Sequence, residues 1–228
     1  MEENQELLTP VVEVSEQKTL TIISLIAEGG LGGQIIMGIL FLLLCVSVYI
    51  YIERFLVLKS VSKIDAGFME KIKAQISVGN IEAAKEICLN KNTPVANLIG
   101  KGVSRIGKPL EDINTAIENA GKLEIYKLEK NVSVLATISG AAPMIGFLGT
   151  VIGMIVSIHE IANSGGQIDI KMLSDGLYTA MTTTVGGLIV GIISYITYNH
   201  LVVKTDKVVY QMEAKSVEFL DLLTEPIS

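Results

Sequence analysis

The sequence predicts an all-α membrane protein, with three transmembrane helices and long helices that extend into a cytoplasmic helical bundle. Half of the 228 residues are hydrophobic, only 18% are charged, and the mean hydropathy is +0.51. The apolar residues are gathered into three uncharged runs instead of being spread at a helical or strand period. Each run exceeds the roughly 20 residues that a helix needs to cross about 30 Å of hydrocarbon.

The three uncharged runs extend over residues 29–52, 131–158 and 176–199. We therefore predict transmembrane helices at 29–52, 131–158 and 176–200. A very apolar soluble bundle is the alternative, but it would need polar residues interrupting these runs every few positions.

The first 28 residues contain six Glu and one Lys, which is the wrong sign for the basic start of a secretory signal peptide. We expect residues 1–28 to be retained. The apolar positions after Thr19 predict a short amphipathic helix along the membrane surface, although a frayed lead-in to the first span fits them nearly as well.

Basic residues are distributed unevenly about the three spans. Thirteen of the 18 lie within 53–130, three follow the third span, and one each lies in 1–28 and 159–175. By the positive-inside rule, residues 53–130 and 201–228 are expected in the cytoplasm, and residues 1–28 and 159–175 in the periplasm.

The cytoplasmic region is predicted to be helical. Apolar residues recur at helical spacing over 65–90, with a break at Gly79-Asn80 between two short helices. Pro109 is well placed for the first turn of a further helix. Because no strong breaker occurs before Gly140, we expect one long helix that continues through the second span. A last helix should carry the apolar stripe Val209, Met212, Phe219 and Leu223.

Small and hydroxyl-bearing residues share one face of each of the later spans. In the second span the face consists of Ser139, Ala142, Pro143, Gly146, Gly149, Thr150, Gly153 and Ser157, and in the third of Thr179, Thr183, Gly187 and Ser194. Plain helix packing and the lining of a polar pore both explain such faces. Since no ionisable residue lies inside a span, a proton path would need a carrier from another chain.

No enzyme signature is present, so we expect no catalysis, metal or cofactor. The stretch Gly146–Thr150 lacks the Gly-Lys-[Ser/Thr] ending of a phosphate loop. His159 and His200 lie at span ends without metal-ligating companions at helical spacing. The net charge of −6 and the absence of Trp argue against a nucleic-acid partner.

Two motifs resemble a known family. Residues 135–154, Leu-Ala-Thr-Ile-Ser-Gly-Ala-Ala-Pro-Met-Ile-Gly-Phe-Leu-Gly-Thr-Val-Ile-Gly-Met, are similar to the second-span signature of the MotA/TolQ/ExbB proton-channel family. Residues 184–188, Thr-Val-Gly-Gly-Leu, resemble its third-span motif. The resemblance covers roughly residues 19–223, and the three spans are similar to the ExbB/TolQ branch.

The resemblance implies a homopentamer in the bacterial inner membrane. The second and third spans would surround a pore holding the single helices of an ExbD- or TolR-like partner, whose aspartate would carry protons. Proton-motive force would then drive work on a TonB-like envelope protein for transport across the outer membrane. A TolQ-like role in envelope maintenance, a gliding or secretion motor, and a non-conducting membrane scaffold are the alternatives. A solute transporter is weaker, because three spans provide no inverted repeat.

The resemblance also assigns roles to single residues. Thr150 and Thr184 match the family's pore-facing threonines and are expected to bond water or the partner's aspartate. Thr179 stands where many members have a glutamate, and its hydroxyl is expected to take the place of that carboxylate. Thr183 lies on the same face of the third span as Thr179. Pro143 is expected to kink its span. Close helix approach is expected at Gly146, Gly149, Gly153, Gly186 and Gly187.

Overall fold

The computed structural model describes residues 31–62, 67–91, 93–163 and 170–224. These residues form seven helices and, within those ranges, no strand. The helices are α1 (Leu31–Val61), α2 (Phe68–Ser77), α3 (Ile81–Leu89), α4 (Pro94–Val103), α5 (Leu110–Glu129), α6 (Val132–Asn163) and α7 (Ile170–Thr224). The amphipathic helix predicted within residues 1–28 lies outside the described residues.

Three of these helices are long and apolar enough to cross a membrane, namely α1, α6 and α7. This confirms the predicted fold class. Helices α6 and α7 run antiparallel in close contact, and α1 packs against both. Much of the contact with α1 is apolar: Ile36 and Leu40 of α1 pack with Ile138 of α6 and Val190 of α7.

The short helices form a bundle beside the membrane helices. The predicted break at Gly79-Asn80 is confirmed, since Gly79 has a φ of 75° and the Asn80 side chain accepts a hydrogen bond from the Ala83 amide. Thr93 caps α4 in the same way, ahead of Pro94. The bundle core also buries Cys88, and this burial raises the pKa of its thiol to about 11.

Helix α7 continues without interruption from the third span into the bundle. Met212 and Phe219 are buried in the bundle core, as the predicted stripe requires, while Val209 and Leu223 are half-buried. A Cβ at Gly102 of α4 would lie 2.6 Å from the Phe219 ring. The close contact of α4 with this ring therefore ties the bundle to the end of α7.

The expected continuous helix from Pro109 through the second span is wrong. Helix α5 ends at Glu129, Lys130 takes an extended ψ of 129°, and α6 starts at Val132. Between them Asn131 has a φ of 64°, in the left-handed region that Asn tolerates better than most residues. Pro109 itself stands one residue before α5, at the N-cap position.

Polar and aromatic contacts join α1 to the bundle where the apolar runs end. The Tyr51 hydroxyl lies 2.9 Å from Nδ1 of His200 on α7. Arg54 is 6% exposed and donates to the carbonyl oxygen of Lys127 at 3.2 Å. The charged end of Lys204 lies 3.8 Å from the centre of the Phe55 ring. These contacts fix α1 to both α5 and α7.

Candidate functional site

Glycines allow α6 and α7 to approach until their backbones touch. A Cβ at Gly146 would lie 2.7 Å from the carbonyl oxygen of Thr183, and one at Gly187 would lie 2.9 Å from Cα of Gly146. At Gly153 an added Cβ would lie 3.1 Å from Cβ of Ala180. Side chains at Gly146 and Gly187 would push the two helices apart, so the contact requires small residues at these positions.

Pro143 belongs to the same contact. Helix α6 continues through it from Val132 to Asn163. A Cβ at Gly191 of α7 would lie 2.6 Å from Cγ of the Pro143 ring and 3.1 Å from the carbonyl oxygen of Ser139. Gly191 was not among the predicted contact residues, although its position four residues after Gly187 places both on one helix face.

Two threonines connect the helices through their hydroxyls. Thr150 of α6 donates to the carbonyl oxygen of Ala180 in α7 at 3.0 Å. Thr184 of α7 donates to the carbonyl oxygen of Gly146 in α6 at 3.2 Å. The two hydroxyl oxygens are also close enough to bond each other, and because each hydroxyl has a single proton, that bond would replace one of the two carbonyl bonds. The arrangement is reciprocal: Thr150 bonds the carbonyl four residues before Thr184, and Thr184 bonds the carbonyl four residues before Thr150.

The remaining predicted threonines bond to their own helix. Thr183 is 1% exposed, donates to Ala180 at 2.8 Å, and packs against Gly149. Thr179 is half-buried and donates to the carbonyl oxygen of Asp175 at 2.9 Å. The structure thus brings Thr150, Thr183 and Thr184 together in one contact. Thr179 lies one turn away, and its methyl group packs where Gly33 of α1 leaves space.

The other side of α7 faces α1. A Cβ at Gly186 would lie 3.1 Å from the sulfur of Met37. Ser194 donates to the Ser47 hydroxyl at 3.0 Å, and both side chains are fully buried. Small and hydroxyl residues on α7 therefore serve two helix contacts. Sequence reasoning missed Ser47, whose only signal is a hydroxyl within an otherwise apolar run.

The contact between α6 and α7 carries no charge. Residues 31–52, 132–158 and 176–199 contain no Asp, Glu, Lys or Arg. Its polar groups are hydroxyl donors and backbone carbonyls, which can relay hydrogen bonds but cannot take up a charge at membrane depth. Within the described ranges no three potential metal ligands of the His, Cys, Asp and Glu types come together. The fold and site define a helical membrane protein whose later spans meet at a neutral hydroxyl contact.

Comparison with known proteins identifies the family. The sequence model of the MotA/TolQ/ExbB proton channel family matches residues 90–214, which include α4 to α6 and most of α7. The chain belongs to this family. The match includes every predicted threonine of the site as well as the break at Asn131.

Several curated proteins are similar to parts of the chain. Biopolymer transport protein ExbB of Helicobacter pylori is 42% identical over 79 residues, covering 35% of this chain and 54% of that protein. The Aquifex aeolicus protein of the same name is 37% identical over 103 residues, covering 44% and 69%. Tol-Pal system protein TolQ of Haemophilus influenzae is 30% identical over 93 residues, covering 41% and 40%. The chain spans about half the length of curated relatives that it matches.

Proposed function

We propose that this protein is the pentameric channel subunit of a proton-driven motor in the bacterial inner membrane. With an ExbD-like single-span partner, it converts proton-motive force into work on a TonB-like envelope protein for transport across the outer membrane. Family membership and the similarity to two proteins named for biopolymer transport support this proposal. The observation that carries it is the reciprocal hydroxyl contact of Thr150 and Thr184.

The two threonines lie at the edge of the contact. Both are half-buried, whereas neighbouring Thr183 is enclosed between the helices. Part of each threonine therefore remains accessible to a third group that would approach from the pore side. A carboxylic acid from the partner would find hydroxyls and carbonyls there, without a competing charge from this chain. Each proton moved would supply ~2.3 kcal/mol per 100 mV of membrane potential.

Assembly from several copies is supported by an apolar stripe on the outer face of α7. Val203, Tyr210 and Val217 are 66%, 71% and 58% exposed. They are spaced seven residues apart and lie beyond the third uncharged run. A heptad-spaced apolar stripe in water favours packing against another helix, and we propose that a second copy of the chain supplies that helix.

The proposed orientation places the bundle in the cytoplasm and residues 159–175 in the periplasm. Its support is the concentration of thirteen basic residues within 53–130. Reporter fusions at position 95 should indicate the cytoplasm and fusions at position 167 the periplasm. The reverse result would reject this orientation.

Proton flux into liposomes containing the subunit and its partner tests the proposal. Thr150→Val together with Thr184→Val should reduce the flux by about tenfold or more, which corresponds to ~1.4 kcal/mol in the barrier. Thr150→Ser together with Thr184→Ser retains the hydroxyls and should conduct. Thr182→Val is the matched control, because this hydroxyl bonds to the carbonyl of Tyr178 in its own helix and to no other residue that the structure describes.

Native mass spectrometry of the same preparations gives the subunit count. The valine variant should keep the assembly of the unmodified protein while losing flux. Full flux in the valine double variant would show that the two hydroxyls are not part of the proton path, and an absence of flux from the unmodified protein with its partner would favour the non-conducting scaffold.

A TolQ-like role in envelope maintenance is the second candidate. It is supported by the similarity to the Haemophilus influenzae protein of the Tol-Pal system. Identification of the single-span protein that copurifies with the native assembly distinguishes the two roles.

A further inference from the structure

A cleft of about 600 Å³ with a mixed polar and apolar lining lies at the break between α5 and α6, and one face of α7 forms its wall. Glu129, Lys130 and Ser133 line it from the break, and Thr205 and Asp206 line it from α7. Its volume falls within the range of about 300–1,000 Å³ that is typical of small-molecule sites. None of these residues belongs to the threonine contact described above.

The cleft lies at the level where the protein enters the membrane. Lys130 is the last charged residue before the uncharged run 131–158, and Asp206 follows shortly after the run 176–199. Tyr126 and Tyr198 also line the cleft. Tyrosines are enriched at the depth of lipid headgroups, because their rings combine an apolar body with a polar end.

Several polar groups in the cleft have no hydrogen-bond or ion-pair partner among the described residues. Thr205 is only 4% exposed, yet its hydroxyl makes no hydrogen bond in the part of the chain that the structure describes. An unsatisfied buried hydroxyl is costly, so a bound group that completes it is favoured. Glu129, Lys130 and Asp206 are exposed, and no ion pair joins them to another described residue.

We propose that this cleft binds the phosphoethanolamine headgroup of a membrane phospholipid. The carboxylates of Glu129 and Asp206 would hold the ammonium group, and Lys130 with the Thr205 hydroxyl would hold the phosphate. The cleft has two carboxylates, Glu129 and Asp206, and one cationic side chain, Lys130, so its net negative charge disfavours a headgroup that carries only negative charge. The lipid thereby occupies the break between α5 and α6 at the membrane surface.

Native mass spectrometry from nanodiscs tests this assignment. The purified native assembly is placed in phosphatidylcholine discs that contain equal small fractions of phosphatidylethanolamine and phosphatidylglycerol. The unmodified protein should retain phosphatidylethanolamine about tenfold over phosphatidylglycerol, the factor expected from one charge-assisted hydrogen bond. Glu129→Gln together with Asp206→Gln should abolish this preference. Glu213→Gln removes an exposed α7 carboxylate outside the cleft lining and should retain it.

Two further variants test the phosphate side. Lys130→Gln and Thr205→Val should lower the retention of phosphatidylethanolamine, with the subunit count unchanged. Equal retention of both lipids by the unmodified protein would overturn the proposal. So would a preference that survives Glu129→Gln with Asp206→Gln, or a cleft filled by a neighbouring copy that leaves no lipid bound.

Discussion

Thr150 and Thr184 donate hydrogen bonds in opposite directions across the contact between α6 and α7. Thr150 donates to the carbonyl oxygen of Ala180, and Thr184 donates to that of Gly146. Both acceptors are carbonyls of helical residues, and the two hydroxyl oxygens are close enough that either hydroxyl can donate to the other in place of its carbonyl. A change at either threonine therefore alters the environment of its partner.

This coupling is measurable as a double-mutant cycle. Thr150→Val, Thr184→Val and their combination should show a coupling free energy of about 0.6 kcal/mol, with an upper limit near 1.7 kcal/mol. The unfolding free energies come from detergent-induced unfolding followed by circular dichroism. Thr150→Val combined with Thr197→Val is the control and should be additive, since among the described residues the Thr197 hydroxyl bonds to carbonyls of α7 alone. Additivity in both cycles would contradict the reciprocal geometry.

The glycine contact predicts a large effect from a single methyl group. Gly146→Ala should lower the unfolding free energy by about 1–3 kcal/mol, because its Cβ would meet the Thr183 backbone. Gly140→Ala is the matched control within α6, where an added Cβ has nothing within 4 Å. It should be neutral or stabilising by up to about 1 kcal/mol, the helix preference of Ala over Gly. Equal effects of the two changes would show that α6 and α7 are not in backbone contact.

Substitutions of Asn131 by residues that differ in their tolerance of a positive φ test the break between α5 and α6. Asn131→Val should lower the unfolding free energy by about 1–2 kcal/mol, the cost of the left-handed conformation for a residue with a bulky Cβ. Asn131→Gly should be close to neutral, because glycine adopts this conformation without strain. If valine instead stabilises the protein in thermal unfolding, α5 and α6 form one continuous helix.

Because the Cys88 thiol is buried, we expect the free energy of unfolding to fall with rising pH in the alkaline range. Its pKa is raised from 9.0 to about 11 by burial in the bundle core. The unfolded chain releases the thiol proton first, so the contribution of Cys88 to stability is present below pH 9 and is lost as pH rises towards 11. Denaturant unfolding at pH 8 and pH 10.5 measures this loss. The decrease should be smaller for Cys88→Ala, and an identical decrease in both proteins would assign it to other groups.

The sequence was sufficient for features that depend on composition or on glycine. The three apolar helices follow from uncharged runs, and the break at Gly79 follows from a residue that favours positive φ. The break at Asn131 was missed because Asn also occurs within helices, and only tertiary contacts decide between the two conformations. Helical periodicity placed Thr179 and Thr183 on one stripe of α7, with Thr184 beside it, and only the family resemblance assigned Thr184 to the site. Which of them bonds across the contact depends on the relative rotation of α6, which no pattern within a single helix specifies.

Helix α7 has a mechanical consequence that follows from its 55 uninterrupted residues. At 1.5 Å per residue, Thr184 and Phe219 lie about 50 Å apart on one stiff rod. A rotation of α7 at Thr184 would therefore be transmitted to Phe219 along one continuous helix. The path from the same contact through α6 to α5 is interrupted by the break at Asn131. The chain thus combines one continuous helix with a second path that bends at Asn131.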